Sequence, residues 1–350
     1  MSIYWVPKKT ISTDTVNSLL EQSIDSNTFT NYGPNVKLLE QRLSECMKID
    51  STKAVICVAN GTVAIWALVA AIELEINKRL QFATQSFTFP SSAQGYLDNT
   101  LIVDIDSEGG IDISQVPDTC DGIIVTNIFG RIVNIDKYEK WAKVNNKYLI
   151  FDNAATSYTF FKGKNSCNYG IGATVSLHHT KPIGFGEGGI IIVDKKYEDY
   201  VRRIINFGID NLSPTRKWHR FGSNYKMSDI QAVYILQYLT NFNGIIEKHQ
   251  TLYKYYIDQT VNIPIKNYPT FSKPSETFIS CICFFTEKSD IIIQYLLENN
   301  IFARKYYYPL EETAISSLFF KNIVCISFHV DLKIEDIDRI INIIRKVILG

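Results

Sequence analysis

The chain has 350 residues, 46% of them hydrophobic, and its 36 lysines and arginines balance 36 aspartates and glutamates. This length and apolar content imply a substantial core in one large domain with a smaller partner, or in two domains, and argue against disorder. The charge balance lacks the electrostatic footprint of a nucleic-acid or anionic-membrane binder, so a phosphate-bearing ligand must be held by local geometry.

Residues 1–9 lack the long apolar core of a signal peptide. Residues 11–25 predict a polar helix with Ser12, Thr13 and Asp14 available for capping. A loop follows through Asn31, Gly33, Pro34 and Asn35. A helix over 36–47 is predicted next, with Val36, Leu39, Leu43 and Met47 at helical spacing.

Short apolar runs then alternate with helical segments. Seven strands are predicted, at 54–59, 80–84, 100–104, 122–126, 148–152, 172–176 and 189–193. Helices at 63–77 and 135–145, and a shorter one at 91–97, lie between them. This alternation indicates an α/β domain whose mainly parallel sheet is buried on both faces. The last two strands are joined by a short glycine-rich link without a helix, so one strand is expected to be antiparallel. The most apolar window, 54–76, is broken by Asn60-Gly61-Thr62 and carries Glu73 and Glu75, which suits strand–turn–helix better than a membrane span.

A charged helix at 195–206, a loop with Pro214, Trp218, His219 and Gly222, and a helix at 228–240 capped by Ser228 come next. A domain change is expected there, giving a large domain over 1–240 and a small α+β domain over 241–350. In the small domain, strands at 278–286 and 324–329 and helices at 289–299 and 333–349 are predicted. Glu335 and Asp336 early in the last helix, and Arg345 and Lys346 late in it, suit its dipole.

The seven cysteines, an odd number, are scattered, with no CxxC pair and no Cys/His cluster at zinc spacing. They read as reduced, mostly buried thiols of a cytosolic protein. Cys281 and Cys283, two apart on a predicted strand, face the same side.

Four constellations could carry chemistry. Asn60-Gly61-Thr62 joins a buried strand to a helix, where N–H groups and a hydroxyl form an anion site or simply cap the helix. Ser86-Phe87-Thr88-Phe89-Pro90 puts an aromatic at a strand end, to stack on a planar ligand or to pack. Asp152 ends a strand, where ligands of α/β sheets gather, or it starts a turn. Lys181 lies between a strand and Gly184-Phe185-Gly186-Glu187-Gly188-Gly189. There it is either a partly dry amine able to form a Schiff base or a strand-edge lysine beside a hairpin. A phosphate, an aromatic ring, a ring nitrogen and an aldehyde all belong to pyridoxal phosphate (PLP), and the four features occur in one consistent order.

The chain resembles the DegT/DnrJ/EryC1/StrS family of sugar-nucleotide aminotransferases, of the aspartate-aminotransferase fold (fold type I). The resemblance runs from Asn31-Tyr32-Gly33-Pro34 to the C-terminal helix. It is carried by Asn60-Gly61-Thr62, Ser86-Phe87-Thr88-Phe89, Asp152 with Ala154, Ser176-Leu177-His178-His179-Thr180-Lys181, Gly186-Glu187-Gly188-Gly189 and Asn224-Tyr225-Lys226-Met227-Ser228-Asp229-Ile230-Gln231-Ala232. The lysine with its Gly-Glu-Gly-Gly is the most specific element.

The resemblance implies a PLP enzyme with a seven-stranded mixed sheet in the large domain. Lys181 would form the Schiff base and shuttle protons, and Asp152 would keep the ring nitrogen protonated. Phe89 would stack on the ring, and Gly61, Thr62 and Ser176 would bind the phosphate. Asn224 would reach the phosphate across a homodimer interface. Lys226, Tyr307, Tyr308 and His329 would contact substrate, the tyrosines and His329 having core packing as their alternative. The implied reaction converts a nucleotide-linked 4-keto-6-deoxyhexose to a viosamine-like 4-amino sugar with glutamate as donor, in the cytoplasm. Amination at C3, or a PLP-binding regulatory protein, is the alternative. Two positions depart from the family pattern: Ala155 stands where many members have Gln or His, and Lys226 where many have Arg.

Overall fold

The computed structural model describes residues 2–210, 214–215 and 217–350, so part of the loop expected before the 228–240 helix lies outside the described residues. The apolar runs form strands because helices cover both faces of one sheet. Its strands are β1 (Lys53–Val58), β2 (Phe82–Gln85), β3 (Leu101–Val103), β4 (Gly122–Thr126), β5 (Tyr148–Asp152), β8 (Gly172–Ser176) and β9 (Gly189–Asp194). A small hairpin, β6 (Phe160–Phe161) and β7 (Lys164–Asn165), precedes β8. The seven-stranded order is β1-β9-β8-β5-β4-β2-β3. β9 is antiparallel to both neighbours and every other pairing is parallel, as the helix-free link ahead of β9 requires.

One face packs on α3 (Gly61–Ile76) and α5 (Glu198–Ile204). The other packs on α2 (Pro34–Cys46), α4 (Ile135–Asn145) and α6 (Asp229–Leu239), with α1 (Thr13–Asp25) outside them. Ser12 caps α1 and Ser228 caps α6. The helix expected at 91–97 is instead two short 3-10 turns, Pro90–Ser92 and Gly95–Leu97. Gly95 breaks it: its φ is +59° and a Cβ there would meet the Trp66 ring at 2.4 Å.

A long helix, α7 (Phe242–Thr260), leads into the second unit, an antiparallel sheet of order β10-β11-β13-β12. These strands are β10 (Lys266–Asn267), β11 (Cys281–Phe285), β12 (Ala303–Arg304) and β13 (Ile323–Ser327), and the helices are α8 (Ser289–Glu298), α9 (Ala314–Asn322) and α10 (Ile334–Leu349). One face of this sheet, with Ile282, Phe284, Val324 and Ile326, packs on α7, α8 and α10. The other carries Cys281, Cys283 and Cys325 against Phe87, Ile128 and Phe129 of the large sheet's loops. Asp104, after β3, caps α9 by accepting from Ile315 N at 2.9 Å and Ser316 N at 3.1 Å, which pins the two units together. All seven cysteines are free, and no helix among the described residues is long and apolar enough to cross a membrane.

Candidate active site

The carboxyl ends of β1, β5 and β8 open into a cleft of about 720 Å³ closed from above by β12 and the segment after it. At β1, Asn60 caps α3 by accepting from Val63 N at 3.0 Å, and its carbonyl accepts from Ala64 N at 3.2 Å. The N–H groups of Gly61 and Thr62 therefore precede the first intrahelical bond and face the cleft with the α3 dipole behind them. Thr62 Oγ1 lies 2.8 Å from Ser91 Oγ. Ser176, at the end of β8, closes this cup, and a Cβ at Gly61 would stand only 2.9 Å from the Ser176 Cβ. Only glycine leaves the cup open.

Asp152 ends β5, which pairs with β8 so that Asp152 sits opposite Thr174. It is buried, and its Oδ1 accepts from Ala154 N at 3.0 Å. Burial pushes its carboxyl above the ordinary range, while the Ala154 N–H and the Lys181 charge pull it back. Lys181 follows β8 in two tight turns: its N–H donates to His178 O at 2.8 Å and its carbonyl accepts from Gly184 N at 3.1 Å. Gly184 is obligatory because a Cβ there would stand 2.1 Å from His178 O. Burial lowers the Lys181 amine; Asp152 raises it back and Arg304 lowers it further. The glycine-rich link thus presses on the protein's own backbone.

The remaining wall is aromatic. Phe87 points into the core, while Phe89 is half exposed and meets Tyr307 edge-on at 6.1 Å. Tyr307 stacks on Phe129 at 5.4 Å and 18°. Arg304 lies between two rings, 4.2 Å from the centroids of Trp5 and of Tyr306. Its Nε is buried without a hydrogen-bond partner, and no ion pair among the described residues includes it. It is a cation held ready for an anion that enters the cleft.

Gly61, Thr62, Phe89, Asp152, Ser176, Lys181 and Tyr307 thus line one cleft. Four other expected site residues lie elsewhere. Asn224 is exposed in a bridge to Asn206, and Lys226 donates to Asn206 Oδ1 at 2.8 Å. Tyr308 is 72% exposed and packs on Phe320, and His329 Nε2 donates to Tyr4 O at 3.1 Å. Sequence reasoning missed Trp5, Ser91, Ser280 and Cys281 as lining residues, while Arg304 opens the 304–310 segment that the resemblance puts near the sugar pocket. Ser91 carried a signal, two positions after Phe89; Trp5 did not, because only tertiary folding brings it there.

The residues fit PLP. The cup of free N–H groups and hydroxyls suits a phosphate dianion, the buried carboxylate suits a protonated ring nitrogen, and the enclosed amine suits an aldehyde. Among the described residues no group of three or more His, Cys, Asp or Glu could hold a metal ion.

Comparison with known proteins supplies the family. The model of the DegT/DnrJ/EryC1/StrS aminotransferase family matches residues 11–345. The dTDP-4-amino-4,6-dideoxy-D-glucose transaminase of Escherichia coli is 27% identical over 363 residues, covering 95% of this chain and 94% of its own. The UDP-2-acetamido-2-deoxy-3-oxo-D-glucuronate aminotransferase of Pseudomonas aeruginosa is 28% identical over 231 residues, 62% of this chain and 61% of its own. In fold, Helicobacter pylori PseC, an aminotransferase of pseudoaminic acid biosynthesis, superposes with a TM-score of 0.85 at 16% identity, covering both chains completely. The chain belongs to the DegT/DnrJ/EryC1/StrS aminotransferase family and is a PLP-dependent aminotransferase.

Proposed function

We propose that this enzyme aminates C4 of a nucleotide-linked 4-keto-6-deoxyhexose, giving a viosamine-like 4-amino sugar, with glutamate as the amino donor. The observation that carries the reading is the convergence of Lys181, Asp152 and the unpaired Arg304 on one cleft. The similarity to the E. coli transaminase along nearly the whole of both chains favours C4.

Bound PLP supplies an aldehyde and an electron-withdrawing ring. The N–H groups of Gly61 and Thr62 and the hydroxyls of Thr62 and Ser176 hold its phosphate. Asp152 holds the proton on the ring nitrogen, a role its burial beside a cation permits. Phe89 covers the ring and excludes water. The Lys181 amine, lowered by burial, takes and returns the proton at the donor and sugar carbons. Arg304 holds the donor carboxylate through charge-assisted bonds. Asn224 and Lys226, outside the cleft of their own chain, reach the partner's cofactor and substrate in a homodimer.

The test is to incubate the protein with glutamate and a panel of 3-keto and 4-keto sugars linked to UDP, dTDP or GDP, and to identify products by mass spectrometry and NMR. Amino transfer to C4 is expected. Transfer to C3 alone would move the reading to the reaction named for the Pseudomonas relative, and glutamate turnover with no sugar product would remove it.

A further inference from the structure

The first residues of the chain form an extended strap that nothing in the proposed chemistry uses. It lies outside the 11–345 span matched by the family. At its start, Ile3 pairs with the small domain: Ile3 N donates to Asn300 O at 2.8 Å and Phe302 N donates to Ile3 O at 2.9 Å. Ser327 Oγ and His329 Nε2 both donate to Tyr4 O. Trp5 then lines the cleft beneath Arg304, and Lys8 N donates to Asp331 Oδ2 at 2.6 Å. The strap is thus fixed to the small domain along its length.

Its far end grips a different part of the molecule. Lys9 Nζ donates to the main-chain carbonyl of Lys181 at 2.7 Å and also to the carbonyl of Gly184. The Lys9 ammonium lies 4.7 Å from the centroid of the Tyr238 ring, whose hydroxyl donates to Pro182 O at 3.2 Å. Gln231 Nε2 donates to Phe185 O at 2.7 Å. The turns after β8 leave a row of carbonyls that neither sheet nor helix can satisfy; side chains bond those of Pro182, Gly184 and Phe185, and that of Lys181 takes a side-chain donor besides its turn bond from Gly184 N. Lys9 alone holds two of the four, including the carbonyl of Lys181 itself. Burial lowers its amine to about 7, with Asp331 raising it, which marks the contact as nearly dry. A lysine is apt here because its long stem packs on Tyr238 while its three N–H groups reach two carbonyls.

We propose that Lys9 is a positioning residue: the strap ties the small domain to the loop bearing Lys181 and fixes where the Lys181 amine stands in the cleft. The inference rests on the proposed role of Lys181. Lys9 touches neither cofactor nor substrate; it acts through the main chain of its neighbour. A displacement of order 1 Å at a reacting amine can cost about 10²-fold in rate.

Three proteins test this: wild type, Lys9→Met and Lys9→Arg. In cofactor-free protein, deuterium exchange across residues 178–186 should quicken about tenfold in Lys9→Met and return toward wild type in Lys9→Arg. With PLP bound, kcat of the glutamate half-reaction should fall about 10- to 100-fold in Lys9→Met, with KM for glutamate held within about twofold. Should Lys9→Met not fold, Lys9→Gln, whose amide stops short of both carbonyls, must show the same losses in part. Wild-type exchange and kcat in the variant, with borohydride still fixing the cofactor on Lys181, overturn the positioning role. Fixation on another lysine overturns the role of Lys181 itself, whatever Lys9 does.

Discussion

Asp152 and Lys181 reach one cleft from adjacent parallel strands, and each shifts the other's charge: the ammonium pulls the buried carboxyl down and the carboxylate raises the buried amine. Burial opposes both effects and is the larger cause for each. A ring nitrogen bound against Asp152 would give its carboxylate a second positive partner and release Lys181 from holding it ionised.

Asp152→Asn keeps the shape and the Ala154 contact but removes the charge. Its glutamate half-reaction should slow about 10²- to 10³-fold, the cost of losing one preorganised electrostatic partner. Stopped-flow absorbance of the cofactor band checks this, and an unchanged rate would assign the ring nitrogen to another group.

The double substitution Thr62→Val with Ser176→Ala removes two hydroxyls from the cup and leaves its N–H groups. PLP affinity should fall about 10²- to 10⁴-fold, since each hydrogen bond to a charged group is worth about 1.5–3 kcal/mol. Equilibrium dialysis measures it, with the melting temperature of the cofactor-free protein as the folding control.

Arg304→Leu keeps contact with Trp5 and Tyr306 but removes the cation. KM for glutamate should rise about 10- to 100-fold, again one or two charge-assisted bonds, with a smaller change in kcat. A loss confined to the keto-sugar half-reaction would instead place the nucleotide phosphates at Arg304.

His249 supplies a stability prediction. It is buried, its Nε2 donates to Ile279 O at 2.9 Å, and its Nδ1 has no partner. Burial lowers its pKa to about 4. The unfolded chain takes up this proton near pH 6.5 and the folded chain only near 4. The contribution is therefore complete above pH 6.5 and is lost as pH falls toward 4, by about 3 kcal/mol at most. Urea unfolding at pH 7 and at pH 4 should show the wild type losing more stability than His249→Gln. Equal losses would mean that the ring does not titrate in this window.

Much of this was legible in the residues. The seven strands of the large sheet announce themselves because a sheet covered on both faces needs continuous apolar runs, and the helix-free glycine link foretold the reversed strand β9. Lys181, Asp152, Gly61 and Phe89 were legible because each follows a strand of one sheet. The α7 helix was overlooked although Ile245, His249, Leu252 and Tyr256 carry its spacing; Asn243 and Gly244, poor helix formers, stand in its first turn. The strands β10 and β12 are two residues long and leave no period to read. Arg304 was legible only as part of the 304–310 segment expected near the sugar pocket, without a role of its own. Trp5 and Lys9 were beyond reach for another reason. Their importance lies in contacts with Arg304 and the Lys181 loop, which join residues hundreds of positions apart or nearly so, and no local pattern encodes that.

The chemistry proposed for this chain runs through Lys181, and borohydride reduction of the PLP-loaded protein followed by peptide mapping is its test. One pyridoxyl group is expected on Lys181 in the wild type and none in Lys181→Ala. A pyridoxyl group on another lysine, or an undiminished adduct in Lys181→Ala, would contradict it.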